Sequence, residues 1–211
     1  THIFWYILNI FCALTDPRPK PPSQGTSNVR KRVIIGILIG VLVLAVIGVV
    51  AVTSVPCTYQ CDSGWELNGT KCYYFSTNKL TWTQSEEECV TLGGHLVKIN
   101  SREEQSFLYK RLRDLMTENE DKFWIGLTDS ESEGVWKWTD GSLLDTNLTF
   151  WFKNGAQTEP DNWTYNNKYP EGEDCVRMGE KTDGYEYKCW FDKHCNTLQR
   201  YICEKNPNCI K

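Results

Sequence analysis

The sequence predicts an α+β domain, stapled by disulfides and preceded by one membrane-spanning helix. Three observations predict it. Nine of the ten cysteines lie at or beyond Cys57, a density that belongs to an oxidising compartment rather than a reducing cytosol. Val33 to Val55 runs for 23 residues without a charge. Beyond residue 57, two helical stretches are followed by short apolar strands separated by turn residues, the pattern of helices packed on a largely antiparallel sheet. At 211 residues the chain is long enough for one domain and something more.

Residues 1–32 read as a fragmentary cytoplasmic tail. The chain does not begin with Met, so a piece or an incomplete gene product is expected. Ile3 to Leu14 is apolar but too short to span a bilayer. Tyr6 is followed at +3 by Asn9 rather than an aliphatic residue, and resembles no signalling tyrosine motif. Pro17 to Pro22 favours polyproline II and reads as a stiff linker.

Residues 33–55 read as a signal-anchor helix. At 1.5 Å per residue they reach ~34 Å, against a hydrocarbon core of ~30 Å, and they show no polar face. Arg30, Lys31 and Arg32 stand just before them. Positive charge stays inside, so the expected layout is single-pass type II at the plasma membrane, with the cysteine-rich part outside. Gly36 and Gly40 form a GxxxG through which two such helices could pair as a homodimer. Only Pro56 separates the span from Cys57, which leaves no heptad-bearing neck and predicts no stalk-driven trimer.

Residues 57–211 read as the extracellular domain. Thr83-Gln-Ser-Glu86 is the expected capping box of a helix ending near Leu92 at Gly93-Gly94. Ser101-Arg-Glu-Glu104 begins a second, with Phe107, Leu108, Leu112 and Leu115 on one face. Strands are expected at Phe123–Leu127, Val135–Trp138, Cys175–Met178, Tyr187–Phe191 and Tyr201–Cys203. Charge excludes one class of partner. Residues 1–32 carry five basic and one acidic residue, a net +4; from residue 57 onward 18 bases meet 26 acids, a net −8. A body so charged repels phosphates, so nucleic acid is not expected as a ligand.

Cys61-(x10)-Cys72, Cys89, Trp124-Ile-Gly-Leu127, Glu159-Pro-Asp161, Glu173-Asp-Cys175, Trp190-Phe-Asp192, Cys195 and Cys203 follow one another in the order and spacing of C-type lectin domains. The resemblance covers about residues 61–205, and the layout is similar to cell-surface lectin receptors of the asialoglycoprotein-receptor and dendritic-cell groups. It implies a C-type lectin-like fold of two helices, antiparallel sheets and a long loop region. It also implies disulfides Cys61–Cys72, Cys89–Cys203 and Cys175–Cys195. The second closes a loop of more than a hundred residues, worth ~4–5 kcal/mol in the chain-entropy model. Cys57 and Cys209 resemble the extra end-to-end bridge of the low-affinity IgE receptor. Cys12 and Cys189 are left over; Cys189 competes for Cys175, stays free or bridges two chains.

The chemistry the resemblance implies is calcium coordination. Ca²⁺ takes six to eight oxygen ligands, carboxylates foremost. Glu159, Asp161, Glu173 and Asp192 match four of the five side chains that hold calcium at the family's sugar site. The Glu159–Pro160 bond is expected to be cis. Asp129, Glu133 and Asp174 match an auxiliary calcium site, where Asn162 stands in place of an Asp. Phe191 departs from the pattern: sugar-binding relatives carry Asn there, a calcium ligand and amide donor. Phe191 is expected instead to stack on the apolar face of a sugar. Asp161 stands where mannose binders have Asn. Galactose binders have Asp there, but pair it with Gln where this chain has Glu159, so the sugar class stays open. Trp163 falls where galactose binders place a stacking aromatic, although the loop to Glu173 is one residue longer.

The expected function is that of a cell-surface receptor for a glycan or glycoprotein, calcium-dependent and weakened by the lost amides. The alternative is an immune-type receptor that binds a protein without calcium through the same fold. Sequons at Asn68, Asn147 and Asn162 fit an extracellular glycoprotein; a glycan on Asn162 would mask the site. An enzyme would need Cys189 and His194 as nucleophile and base, or both with Cys195 as a zinc cluster. Cys195 is claimed by the family disulfide and no orienting group follows, so no enzyme is expected.

Overall fold

The structure, a computed structural model, describes residues 25–53, 57–164, 168, 170–184 and 187–210, and side chains of its first helix from 31 to 47. The expectations placed on Tyr6, Cys12 and the proline-rich segment lie outside these residues. The chain divides at Pro56 into two compact units.

In the first unit, helix α1 (Gly25–Thr53) contains the uncharged run from Val33 to Thr53. Val33, Ile34, Leu38, Leu42 and Leu44 are all exposed, Leu44 by 70%. No helix among the described residues is long and apolar enough to cross a membrane.

The second unit holds the core. Strand β1 (Thr58–Gln60) pairs with β10 (Asn208–Ile210), locked by Cys57–Cys209. Strands β2 (Glu66–Asn68) and β3 (Lys71–Phe75) form a hairpin joined to the preceding segment by Cys61–Cys72. Helix α2 (Trp82–Thr91), strand β4 (His95–Leu96) and helix α3 (Arg102–Leu115) follow. Then come β5 (Phe123–Thr128), β6 (Lys137–Trp138), β7 (Cys175–Met178), β8 (Trp190–Lys193) and β9 (Arg200–Lys205). The main sheet runs β2-β3-β9-β5-β7-β8, with β4 beside β9 and β6 beside β5. All four disulfides implied by the resemblance are formed.

Four expectations shift. The capping box sits two residues earlier, with Thr81 as N-cap and Gln84 answering it. Glu86 is used otherwise, its carboxylate accepting from the Leu96 amide and contacting His95 Nδ1, each at 2.7 Å, which ties α2 to β4. Strands precede the helices as well as follow them, and β5 runs parallel to β9 inside an otherwise antiparallel sheet. The strand expected at Tyr187–Phe191 begins instead at Trp190, because the Cys189 carbonyl is taken by the Gly179 amide at 3.0 Å as a turn closes. The strand expected from Val135 is reduced to Lys137–Trp138, since the Val135 amide closes a turn on Ser132.

Helix α3 begins at Ser101, as expected, whose hydroxyl accepts from the Glu104 amide. Leu108 and Leu112 are fully buried, and Phe107 and Leu115 pack at their margin. The Trp-Ile-Gly-Leu run fills the centre of the sheet. Trp124 donates Nε1 to the Leu80 carbonyl at 3.0 Å. Gly126 lets the β4 backbone approach, for a Cβ there would stand 2.8 Å from the Leu96 carbonyl oxygen. This rigid sheet carries the site on the loops that return to β7 and β8.

Candidate calcium and ligand site

The site is assembled around Asp192 on β8. Its carboxylate accepts from the Asp161 amide at 3.1 Å and the Asn162 amide at 2.8 Å, so one buried anion organises the backbone of the loop opposite. The Glu159–Pro160 bond is cis, and the Glu159 amide is held by the Phe152 carbonyl at 2.9 Å. Asn162 adopts a left-handed backbone, φ 45°, which Asn tolerates. Its Oδ1 accepts from the Glu173 amide at 2.8 Å, closing the loop across its mouth. Gly172 is needed there: its φ is +85° and a Cβ would stand 1.7 Å from Asn162 Oδ1.

Glu159, Asp161 and Asp192 each bring a carboxylate oxygen within 4.8 Å of the others, and among the described residues they are the one such group of potential metal donors. Glu159 and Asp192 are buried, Asp161 exposed. Glu159 Oε1 accepts from Gln157 at 2.5 Å, while Oε2 is buried with no hydrogen-bond partner. Burial, then the facing Asp192 carboxylate and the Asp161 charge, holds the Glu159 carboxyl far above its ordinary range. Asp161 is raised by burial and by Asp192. Like charges held together around an unpartnered oxygen suit a hard cation, which would replace repulsion by coordination.

The other expected residues are placed differently. Glu173 stands apart from the three, its Oε1 bonded to Lys193 Nζ; burial raises its carboxyl against the pull of that lysine. Asp129, Glu133 and Asp174 are close enough to feel one another, but do not join as a group of donors. Asp129 Oδ2 accepts from the Gly134 amide at 2.8 Å and Oδ1 is buried without a partner. Burial, and then the charges of Glu133 and Asp174, push its carboxyl up to about 6. Trp163 is 48% exposed, with Lys193 Nζ 5.5 Å from its ring centroid.

Phe191 corrects an expectation. It is 5% exposed and buried in the core. Its ring stacks on Phe152 at 4.7 Å, with Lys122 Nζ 4.1 Å from the ring centroid. Successive residues of a strand point to opposite faces, so with Asp192 turned to the site Phe191 is turned into the core. Sequence reasoning also missed Lys193, although a base directly after Trp-Phe-Asp in an acidic stretch is a visible signal.

The candidate catalytic residues are dispersed. Cys195 is bonded to Cys175, His194 Nε2 contacts Glu171 at 2.6 Å, and Cys189 is free but buried, its thiol pushed up to about 12 by that burial. Among its open fates, Cys189 stays free; its burial leaves no thiol for a second chain. Asn68 and Asn147 are exposed, whereas Asn162 is half-buried.

The sequence profile of the family described as "Lectin C-type domain" matches residues 78–205. Mouse asialoglycoprotein receptor 2 is 38% identical over 151 residues, covering 72% of this chain but 44% of its own length, so the chain spans less than half of that relative. The carbohydrate-recognition domain of the mouse scavenger receptor C-type lectin is 36% identical, with a TM-score of 0.56, covering 72% of this chain and all of that one. A calcium-independent type II antifreeze protein is 29% identical, with a TM-score of 0.54, over 72% of this chain and 98% of that one. Members of this family are carbohydrate-binding receptors rather than enzymes. With more than half its length matched by the profile, the chain belongs to the C-type lectin domain family.

Proposed function

We propose that residues 57–211 are the extracellular, calcium-dependent glycan-binding domain of a single-pass receptor. The observation that carries this reading is the group Glu159, Asp161 and Asp192, with the orphaned Oε2 of Glu159 among them. These three would hold the ion, with Glu173 beside them once it leaves Lys193. Calcium supplies open coordination positions for a pair of vicinal sugar hydroxyls. The chain's own part is to hold the loop: Asp192 fixes the Asp161 and Asn162 amides, and Asn162 fixes Glu173. Trp163 offers an exposed apolar face for a sugar ring next to Asp161. Asp129, with Glu133 and Asp174, is the auxiliary site of this reading.

The exposed apolar face of α1 behind Arg30, Lys31 and Arg32 supports a plasma-membrane, type II anchor with the lectin domain outside. GxxxG pairing would give a homodimer, and the single residue between span and domain gives no trimeric stalk. A single shallow site then gains useful avidity by clustering. Thermal unfolding and a glycan array, each in millimolar calcium and in EGTA, test the reading. A melting temperature raised by calcium and EGTA-sensitive glycan binding are expected, since a ligand bound by the folded state alone stabilises it. Equal melting and calcium-insensitive binding would reject it.

One observation favours the second reading, a receptor for a protein ligand without calcium: Glu173 already has a cation in Lys193. The antifreeze protein described as calcium-independent shares the fold. Binding of a protein partner that persists in EGTA would select this reading.

A further inference from the structure

The site contains more than acids. Lys193 is the last residue of β8, next to Asp192, and its ammonium is bonded to Glu173 Oε1. The Glu173 side chain is 7% exposed and that of Lys193 24%, so the pair is shielded from solvent on the glutamate's side and open on the lysine's. The aliphatic stem leaves a strand end fixed in the sheet, β8 against β7. The ammonium stands 5.5 Å from the Trp163 ring centroid, which adds a favourable electron-rich face. A buried carboxylate without a counter-charge is costly. Here the counter-charge is covalently part of the chain and adjoins the three carboxylates that repel one another.

We infer that Lys193 is a resident counter-cation of this site: it neutralises Glu173 when no metal is bound, and calcium must displace it to recruit that carboxylate. The first half stands on the ion pair alone; the second rests on the calcium reading above. An ammonium carries one charge and donates three hydrogen bonds, whereas calcium needs six to eight oxygens. Glu173 has lone pairs for both, but the two cations it would then share repel one another at that distance. Lys193 therefore sets the threshold calcium concentration at which the site changes from an ion-paired to a metal-held state. The same sequence position would make the domain tolerant of calcium loss, because the loop keeps one of its acids paired.

The test uses the full chain in detergent, as wild type, Lys193→Gln, Glu173→Gln and the double variant. In EGTA, Lys193→Gln is expected to melt at least 3 °C below wild type, and the added Glu173→Gln to restore most of that loss. Additive effects in this cycle would overturn the inference. In calcium titrations followed by calorimetry, Lys193→Gln is expected to bind at least tenfold more tightly than wild type, or to bind where wild type does not. Equal or weaker binding, while wild type binds, would overturn the displacement. If the EGTA cycle shows coupling and no variant binds calcium, the counter-cation stands and the calcium reading falls. A charge-retaining Lys193→Arg variant is expected to keep wild-type melting in EGTA, which separates lost charge from lost packing.

Discussion

Replacing Phe191 by Asn would, by sequence pattern, restore the amide that sugar-binding relatives carry. The structure predicts the opposite result. Phe191 is 5% exposed, stacked on Phe152 with 26° between the rings, and its face is occupied by Lys122. Truncating a buried Phe costs about 3–5 kcal/mol. An Asn amide left there without partners adds about 1–3 kcal/mol, partly offset by whatever the smaller side chain recovers through relaxation. A net loss of about 4–6 kcal/mol is comparable to the whole stability of a domain, ~5–15 kcal/mol. At ~2–4 °C per kcal/mol for a domain of this size, the melting temperature should fall by about 10–20 °C. Melting is measured in EGTA, so that metal binding does not intrude, with Phe191→Leu as the control, expected to lose about a third as much. Retention on immobilised mannose in calcium is measured beside it, and no gain is expected. A Phe191→Asn variant that melts like wild type and acquires mannose binding released by EGTA would show that Phe191 faces the ligand and refute the argument.

The remaining predictions concern charge and the helix. Asp129 has a folded pKa of about 6 against an ordinary 3.8, so its contribution is complete below about 4 and is lost as pH rises through about 6. In EGTA the domain should lose on the order of 1 kcal/mol from this group between those limits, solvent screening reducing the full effect, and Asp129→Asn should flatten that part of the stability-pH curve, measured by urea unfolding at pH 4 and 7. Lys122 carries the opposite sign for its type. Burial and Arg177 lower it to about 8, so the unfolded chain holds the proton more tightly and stability should rise between about pH 8 and 10; Lys122→Met should remove that rise in the same assay. In α1, Gly36 and Gly40 stand four residues apart on one face of the helix, where a second helix could approach closely. Gly36→Ile with Gly40→Ile should weaken self-association in a membrane-based two-hybrid reporter several-fold, and unchanged signal would dismiss the pairing.

The disulfide framework and the Trp124–Leu127 strand were legible because each rests on residues close in sequence or on cysteines whose pairing the family pattern implies. The acidic residues were legible as a set, but not their grouping. Glu173 lies outside the group of Glu159, Asp161 and Asp192 and is paired with Lys193, and no spacing rule reports which way a long side chain reaches. Strands β1 to β4 and β10 were missed: β1, β2, β4 and β10 are two or three residues long and carry no measurable alternation, and in β3 the run Cys72, Tyr73, Tyr74, Phe75 does not alternate. The register of the first capping box was misread because Thr83 with Glu86 has the same spacing as the box that forms, Thr81 with Gln84. Only the tertiary partner of Glu86, the Leu96 amide, decides between them.

Phe191 and Lys193 show where the limit lies. Both are on the four-residue strand β8, one either side of Asp192. A motif read as letters assigns Phe191 to the site because asparagine occupies that place in relatives, and ignores Lys193 because no ligand is expected there. The aromatic-rich composition of the segment already supplied a core to receive Phe191. With a phenyl ring the position is satisfied by Phe152 and Lys122. What remains at the strand's end is a flexible ammonium beside buried carboxylates, and electrostatics brings it to Glu173. At the position where the pattern has a ligand, Phe191 turns into the core, and Lys193, beyond Asp192, supplies a charge of the metal's sign.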